Sequence, residues 1–318
     1  MITPRLLANR LNIEYKVLIW LSKCNYRPEE FTSHFTSIRI PKGRKTRQVY
    51  KVSPALKKVH KALKEYLEEM LPSNGYSYAY VPGVGIDAAA KRLIGHPLLV
   101  TVDFVNHFHS IKLKQVKSML MHHGFTDRVA YLISRLCCVK NASGKSFLPQ
   151  GSVVSPLLSN KVSEFLLDPK VLKEFPAATY TRYSDNLYLG FSDNKISGKD
   201  VVAKLEEIAS TLGWKSHKKK ILPYYRKQKA LGFVCNTKPN IPKKKWLRFK
   251  AILHNLTTCS EIERPTQEKR ARDFFKLEEE ASLLPSIEGR ANYWKPYLAS
   301  TRATLVESYL LKLKEIYV

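Results

Sequence analysis

Long apolar runs are missing from this sequence. None approaches the roughly 20 residues that cross a bilayer, and the run near the start, Val17 to Leu21, is too short even for the core of a signal peptide. A soluble, cytoplasmic protein is expected. Cysteine is also scarce: the five present, Cys24, Cys137, Cys138, Cys235 and Cys259, are odd in number and lack CxxC spacing. That excludes a disulfide framework and a zinc ribbon, and leaves buried or half-buried thiols. Acidic residues are few, 27 Asp+Glu against 54 Lys+Arg in 318 residues, giving a formal net charge of +27 and a pI near 9.8.

With 44% hydrophobic and 11% aromatic residues the chain has material for one large or two modest domains, which excludes a disordered basic tail. A positive excess of this size calls for a polyanion. Nucleic acid comes first, because Lys and Arg displace counterions from phosphates; an acidic protein surface or an anionic membrane are the competing partners.

The pattern along the chain predicts two N-terminal helices, the first opened by Thr3 and Pro4 as N-cap and N1. A basic hairpin runs from Ile38 to Tyr50 with Pro41-Lys42-Gly43 at its middle. Residues 55–71 place Leu56, Val59, Leu63, Tyr66, Leu67 and Met70 on one helical face, and a second helix follows at Asp87 to Leu93. Leu98 to Asp103 reads as a buried strand ending on a carboxylate. Helix is expected over 113–139, a loop over 148–156, and helix over 157–168. A strand–turn–strand spans Ala178 to Phe191 with Asp185 near its bend, followed by a helix at 199–212, a basic segment Lys215 to Lys220, and a short strand at Leu231 to Val234. Composition shifts at Pro239 to Pro242, and the remainder is basic and helical.

A carboxylate at a strand end and another in a neighbouring hairpin turn are what two-metal phosphoryl transfer requires, because two hard cations must be held by oxygen ligands on rigid, adjacent elements. Asp103 and Asp185 are the candidates. Aspartates are also common at turns for purely local reasons. The lone histidine pairs, His107/His109 and His122/His123, have no matching ligand set and are read as structural or as phosphate contacts.

The motifs around these residues resemble the reverse transcriptase family. Leu148-Pro149-Gln150-Gly151-Ser152-Val153-Val154-Ser155-Pro156 matches its Leu-Pro-Gln-Gly-x-x-x-Ser-Pro loop; Tyr183-Ser184-Asp185-Asn186 is similar to its Tyr-x-Asp-Asp hairpin; and Val102 to Phe108 is similar to its first palm strand. Arg47-Gln48-Val49 resembles the basic fingers strand, Lys220 the lysine after the palm helix, and Leu231-Gly232 the start of the primer-grip hairpin. The resemblance covers roughly residues 35–235. It is retron-like and close to phage-defence members, although the Asn-Ala-x-x-His segment and the Val-Thr-Gly triplet of retrons are replaced.

This resemblance implies an α+β right-hand polymerase with fingers, a palm made of an antiparallel sheet with helices on one face, and a helical thumb. The implied divisions are 1–97 for N-terminal helices and fingers, 98–112 for palm, 113–147 for fingers/palm helices, 148–240 for palm and 241–318 for thumb. Asp103, Asp185 and the Phe104 backbone would hold two Mg²⁺, with Asn186 beside them. Arg47, Lys45, Phe104, Phe108, Gln150 and Gly151 would bind the nucleotide; Phe108 would exclude a 2′-hydroxyl or serve as an ordinary core aromatic. Lys220 would protonate the leaving pyrophosphate or contact a backbone phosphate. Tyr183, Leu231, Gly232, Lys243, Lys244, Lys245, Trp246 and Arg248 would contact nucleic acid, the last five with a solvated helix start as the alternative. Asn186 stands where the family has a second aspartate, as it does in polymerases of negative-strand RNA viruses. The implied activity is RNA-directed DNA synthesis from dNTPs on a noncoding RNA, with a DNA product, in bacterial antiviral defence beside an effector or second polymerase. No membrane partner is implied, and an oligomer is left open. The competing reading is a catalytically impaired RNA-binding scaffold.

Overall fold

The computed structural model describes residues 2–24, 34–42, 45–141, 143–193 and 195–317. The chain forms two compact units, Met1–Tyr224 and Tyr225–Val318. The compositional change at 239–242 therefore falls inside the second unit.

Helix α1 (Pro4–Arg10) begins as the local residues dictate: Thr3 Oγ1 accepts from Leu6 N–H and Pro4 occupies the first turn. Helix α2 (Tyr15–Cys24) follows. Strands β1 (Phe35–Lys42) and β2 (Lys45–Val52) form the expected antiparallel hairpin, whose tip at Gly43 and Arg44 lies outside the described residues, as do the side chains of Lys42 and Lys45. Helix α3 (Pro54–Met70), capped by Ser53, buries Leu56, Val59, His60, Leu63 and Leu67 along one face. Helix α4 (Ile86–Arg92) leads to strand β3 (Leu98–Phe104).

After the single turn α5 (His107–Ser110), the segment expected as one helix is two, α6 (Leu113–His122) and α7 (Asp127–Cys137). Gly124, at φ +85°, turns the chain between them, and Thr126 caps the second. Strands β4 (Val139–Lys140) and β5 (Ser146–Phe147) precede helix α8 (Ser155–Leu166) and helix α9 (Asp168–Glu174). Strands β6 (Thr179–Tyr183) and β7 (Asn186–Phe191) are joined by the two-residue turn Ser184-Asp185, and α10 (Gly198–Thr211) follows.

The basic segment after α10 is a strand, β8 (Ser216–Pro223). Its lysines gave no alternating apolar signal; its conformation comes from pairing with β3 along its length. The resulting sheet has the order β6-β7-β3-β8 with every neighbour antiparallel. On one face, Leu98, Val100 and Val102 of β3 align with Phe191, Leu189 and Leu187 of β7 and pack toward the helices. Each such side chain removed from water contributes about 1.5–3 kcal/mol. Gly198 sits so close to Ile221 of this face that a Cβ there would lie 2.5 Å from the Ile221 Cγ2. The opposite face carries Thr101 and Asp103.

The second unit consists of the small hairpin β9 (Lys229–Ala230) and β10 (Phe233–Val234), then α11 (Lys243–Thr258), α12 (Arg264–Phe275), α13 (Leu283–Trp294) and α14 (Ser300–Tyr317). Its core gathers Trp246, Phe249, Leu253, Leu256, Ile287, Trp294 and Leu313. Among the described residues no helix is long and apolar enough to cross a membrane.

Candidate active site

The β3–β7 register sets Asp103 opposite Asn186, the residue that follows the hairpin turn. Phe104 N–H donates to the Asp185 carbonyl at 3.1 Å, which ties the turn to the end of β3 and brings the two carboxylates together. Ser184 holds a left-handed φ of 57°, a conformation that costs a non-glycine residue about 1–2 kcal/mol. Neighbouring contacts hold it there: Tyr80 Oη and Ser184 Oγ lie 3.3 Å apart, and Arg182 Nη1 donates to the Ser184 carbonyl at 3.4 Å.

Burial and the nearby Asp103 carboxylate push the Asp185 carboxyl up from its ordinary value, while its backbone, the Asn186 amide and Arg47 pull part of that back. Asn186 Nδ2 donates to Asp185 Oδ1 at 2.9 Å. A second carboxylate at this position would repel Asp185; the amide instead binds it. Arg47, on β2, thus exerts its field on Asp185 from an element distant in the chain.

Two carboxylates, the Phe104 backbone carbonyl and an amide offer only hard oxygen donors, and no cluster of three or more His, Cys, Asp or Glu suited to a metal exists among the described residues. The proton affinity of Asp185 is raised first by burial and then by the Asp103 charge, and a cation beside the two carboxylates would offset both. This set fits Mg²⁺, which is commonly held by one or two carboxylates and completes its shell with substrate phosphates and water.

Other expected site residues are distributed unevenly. Lys220 is paired with Thr101; the lysine directly opposite Asp103 is Lys218. Both lie on the carboxylate face, because residues two apart in a strand share a face, whereas Lys219 points to the helices and meets Glu206 at 2.6 Å. The lysine run has no alternating apolar signal that marks it as a strand, so the sequence alone does not single out Lys218; a period of two laid on the run does. Tyr183, paired with Asn186, is half-buried at the same turn.

The Phe104 side chain is buried against His107 (5.6 Å between centroids) and Trp214 (5.7 Å), so only its backbone borders the carboxylates. Phe108 is 9% exposed within the main core. His107 is enclosed by these rings, with Ser163 Oγ at 3.3 Å from Nε2; His109 packs on Tyr50 and Phe147, and His122 on Phe165. His107 is thus buried in the fold, whereas His109 is half-buried and His122 exposed.

The Gln150-Gly151 loop docks on β2: Tyr50 N–H donates to the Gln150 carbonyl at 2.7 Å. Gly151 has φ +110°, and a Cβ there would lie 2.4 Å from the Tyr50 carbonyl oxygen. Close approach to β2 is therefore what this glycine permits. The next residue is anchored from below, since Ser152 Oγ lies 2.8 Å from His60 Nδ1 and His60 Nε2 lies 2.9 Å from the Leu136 carbonyl.

In the second unit, Leu231 (φ 55°) and Gly232 (φ 90°) form the turn between β9 and β10. Lys243, Lys244 and Lys245 are exposed in the first turn of α11, and Arg248 lies over the Phe274 ring at 5.3 Å. Trp246 is only 4% exposed and belongs to the core, so its ring is not available for stacking on a base.

The chain is 25% identical over 283 residues to the Retron Mx162 reverse transcriptase of Myxococcus xanthus, an alignment covering 78% of this chain and 58% of that protein. It is 24% identical over 264 residues to the Retron Ec86 reverse transcriptase of Escherichia coli, covering 80% of this chain and 78% of that one. It thus spans under two thirds of the length of the Myxococcus relative. Among solved structures, telomerase from Candida albicans in complex with a fragment of telomeric RNA aligns over 88% of this chain and 60% of its own, with 12% identity and a TM-score of 0.47. The family described as reverse transcriptase (RNA-dependent DNA polymerase) matches residues 40–235, more than half of the sequence, and the chain belongs to that family.

Proposed function

We propose that the chain is an RNA-directed DNA polymerase that joins deoxynucleotides to a primer end with the help of two Mg²⁺. The placement of the Asp185 turn beside Asp103 at the end of β3, next to a sheet face that carries Lys218 and Lys220, is the observation that carries this reading. Asp103, Asp185 and the Phe104 carbonyl would hold the ions, which supply charge stabilisation at the attacking oxygen and the triphosphate. Arg47 and Lys45 would neutralise phosphate charge, Gln150 would line the nucleotide site, and Phe108 would limit room at the sugar. Lys218 joins this set, since it is the cation opposite Asp103. Lys220, two residues further along the face, is the second proton donor or phosphate contact.

The template proposed from the family resemblance is a noncoding RNA acting in bacterial antiviral defence; the retron reverse transcriptases among the chain's relatives and the +27 charge support a nucleic-acid template. Primer extension on an RNA template tests the activity. Mg²⁺-dependent product that disappears in Asp103→Asn is expected, and absence of product with every template and primer would overturn the reading.

A second reading, an RNA-binding scaffold of reduced activity, is favoured by Asn186, which removes one charge from the metal site. Asn186→Asp separates the two. A large gain in extension rate supports the scaffold; an unchanged or lower rate supports a polymerase tuned to the amide, which binds Asp185 at 2.9 Å.

A further inference from the structure

The second unit contains a cavity of about 390 Å³ lined by Lys227, Lys229, Lys243, Lys244 and Arg302, with Val234, Asn240, Ile241 and Pro242 completing its walls. No carboxylate lines it, and none of the five cations has an ion-pair partner among the described residues. Five exposed cations border one concavity of the size usual for ligand sites, about 300–1,000 Å³. Left without an anion, they repel one another.

Three separate pieces of chain hold these groups in place. Lys229 pairs with Val234 across the β9–β10 hairpin, and Val234 and Asn240 exchange two backbone hydrogen bonds at 2.9 and 3.0 Å, which closes one wall. Arg302 reaches in from α14 with its guanidinium 5.6 Å from the centre of the Trp246 ring, so its orientation is restricted before any ligand arrives. The first turn of the 16-residue α11 has neither an acidic residue nor a side-chain cap, so its N–H groups add to the same positive field.

We propose that this cavity binds the terminal phosphate of a nucleic-acid strand. A phosphodiester brings a single negative charge and requires a groove by which the chain enters and leaves. A phosphomonoester brings about −1.5 to −2 charges and three acceptor oxygens, and it ends the chain, which suits a walled pocket with an excess of donors. The apolar wall of Val234, Ile241 and Pro242 accommodates the sugar that carries it. Only the choice of a nucleic-acid strand as the source rests on the polymerase reading; the phosphate chemistry does not.

Fluorescence anisotropy with the full chain and labelled RNA strands of one sequence, ending in a 5′-phosphate, a 3′-phosphate or hydroxyls alone, tests this. One phosphorylated end is expected to bind at least about tenfold more tightly than the hydroxyl strand, the yield of one or two charge-assisted hydrogen bonds. In Lys227→Ala/Arg302→Gln that ratio falls to near one; Lys229→Ala serves as a second variant if the first fails to fold. Equal affinity for all three strands overturns the proposal, as does a preference that survives both variants. A preference shown by inorganic phosphate in competition, but by neither strand end, also overturns it. No nucleotide addition is involved, so the result stands apart from success or failure of primer extension.

Discussion

Arg182 and Asp168 form an ion pair in which neither side chain is exposed, with Nε to Oδ1 at 2.9 Å and Nη2 to Oδ2 at 3.1 Å. Tyr180 Oη and Asn74 Nδ2 donate to the same carboxylate, and Asn160 accepts from the guanidinium through its side chain and backbone. Because Arg182 also donates to the Ser184 carbonyl, the network anchors the turn that carries Asp185. Removing one partner leaves a buried charge uncompensated. Arg182→Met is expected to cost about 3–5 kcal/mol in urea unfolding, and Arg182→Met/Asp168→Leu to recover part of that loss. A single variant as stable as the wild type would show that the pair is dispensable.

Asp185 holds its proton more tightly than usual because of burial and Asp103, so in its charged form it opposes folding at neutral pH. Asp185→Asn is expected to melt at a higher temperature than the wild type when no divalent cation is present. Added Mg²⁺ should raise the melting temperature of the wild type and leave the variant unchanged, while extension falls about a hundredfold or more in the variant. A thermal shift series over Mg²⁺ concentration reads both effects.

Lys218 lies opposite Asp103 and Lys220 opposite Thr101, which predicts unequal roles. Lys218→Ala should slow single-turnover nucleotide addition by about a hundredfold, the lower end of the range for a positioned proton donor, and Lys220→Ala by clearly less. The reverse order would assign the chemistry to Lys220.

A methyl group at Gly151 meets the Tyr50 carbonyl oxygen in a left-handed backbone, whereas one at Gly232 meets nothing within 4 Å. Gly232→Ala should cost about 1 kcal/mol from backbone strain alone. Gly151→Ala should cost more and displace β2, which carries Arg47, so its KM for dNTP rises. Equal unfolding midpoints for the two variants would show that the close approach to the Tyr50 carbonyl adds no cost.

Burial holds the His60 imidazole down to about 4, the Leu136 carbonyl partly opposing, and holds His107 down to about 3 with Arg182 adding to the effect. In the unfolded chain both titrate near their ordinary value of about 6.5, so between these limits the unfolded state binds more protons. Their contribution to stability is therefore complete above about pH 6.5 and is lost as the pH falls through that value toward 4. For His60 alone the loss is about 3 kcal/mol. Urea midpoints at about pH 7.5 and about pH 5 should differ strongly in the wild type and less in His60→Gln.

The elements that hold the site were legible wherever the signal was local. The apolar run Leu98 to Val102, the hairpin around Asp185 and the Thr3-Pro4 cap each follow from neighbouring residues. The motif resemblance likewise singled out Asp103, Asp185 and the Gln150-Gly151 loop. Strand β8 was not legible as a strand, because an edge strand of exposed lysines has no alternating apolar side and takes its shape from β3. The single helix expected over 113–139 failed at Gly124, where a left-handed turn separates two helices that pack together.

What the sequence determined by itself was which residue types could do chemistry and which short segments would present them. Tertiary structure decided which of them meet: Lys218 opposite Asp103, Arg47 within the field of Asp185, Arg182 bonded to the Ser184-Asp185 turn, and Lys227, Lys229 and Arg302 around one cavity. The physical reason is that strand register, burial and charge coupling depend on contacts between distant parts of the chain, and local residue preferences carry no information about them.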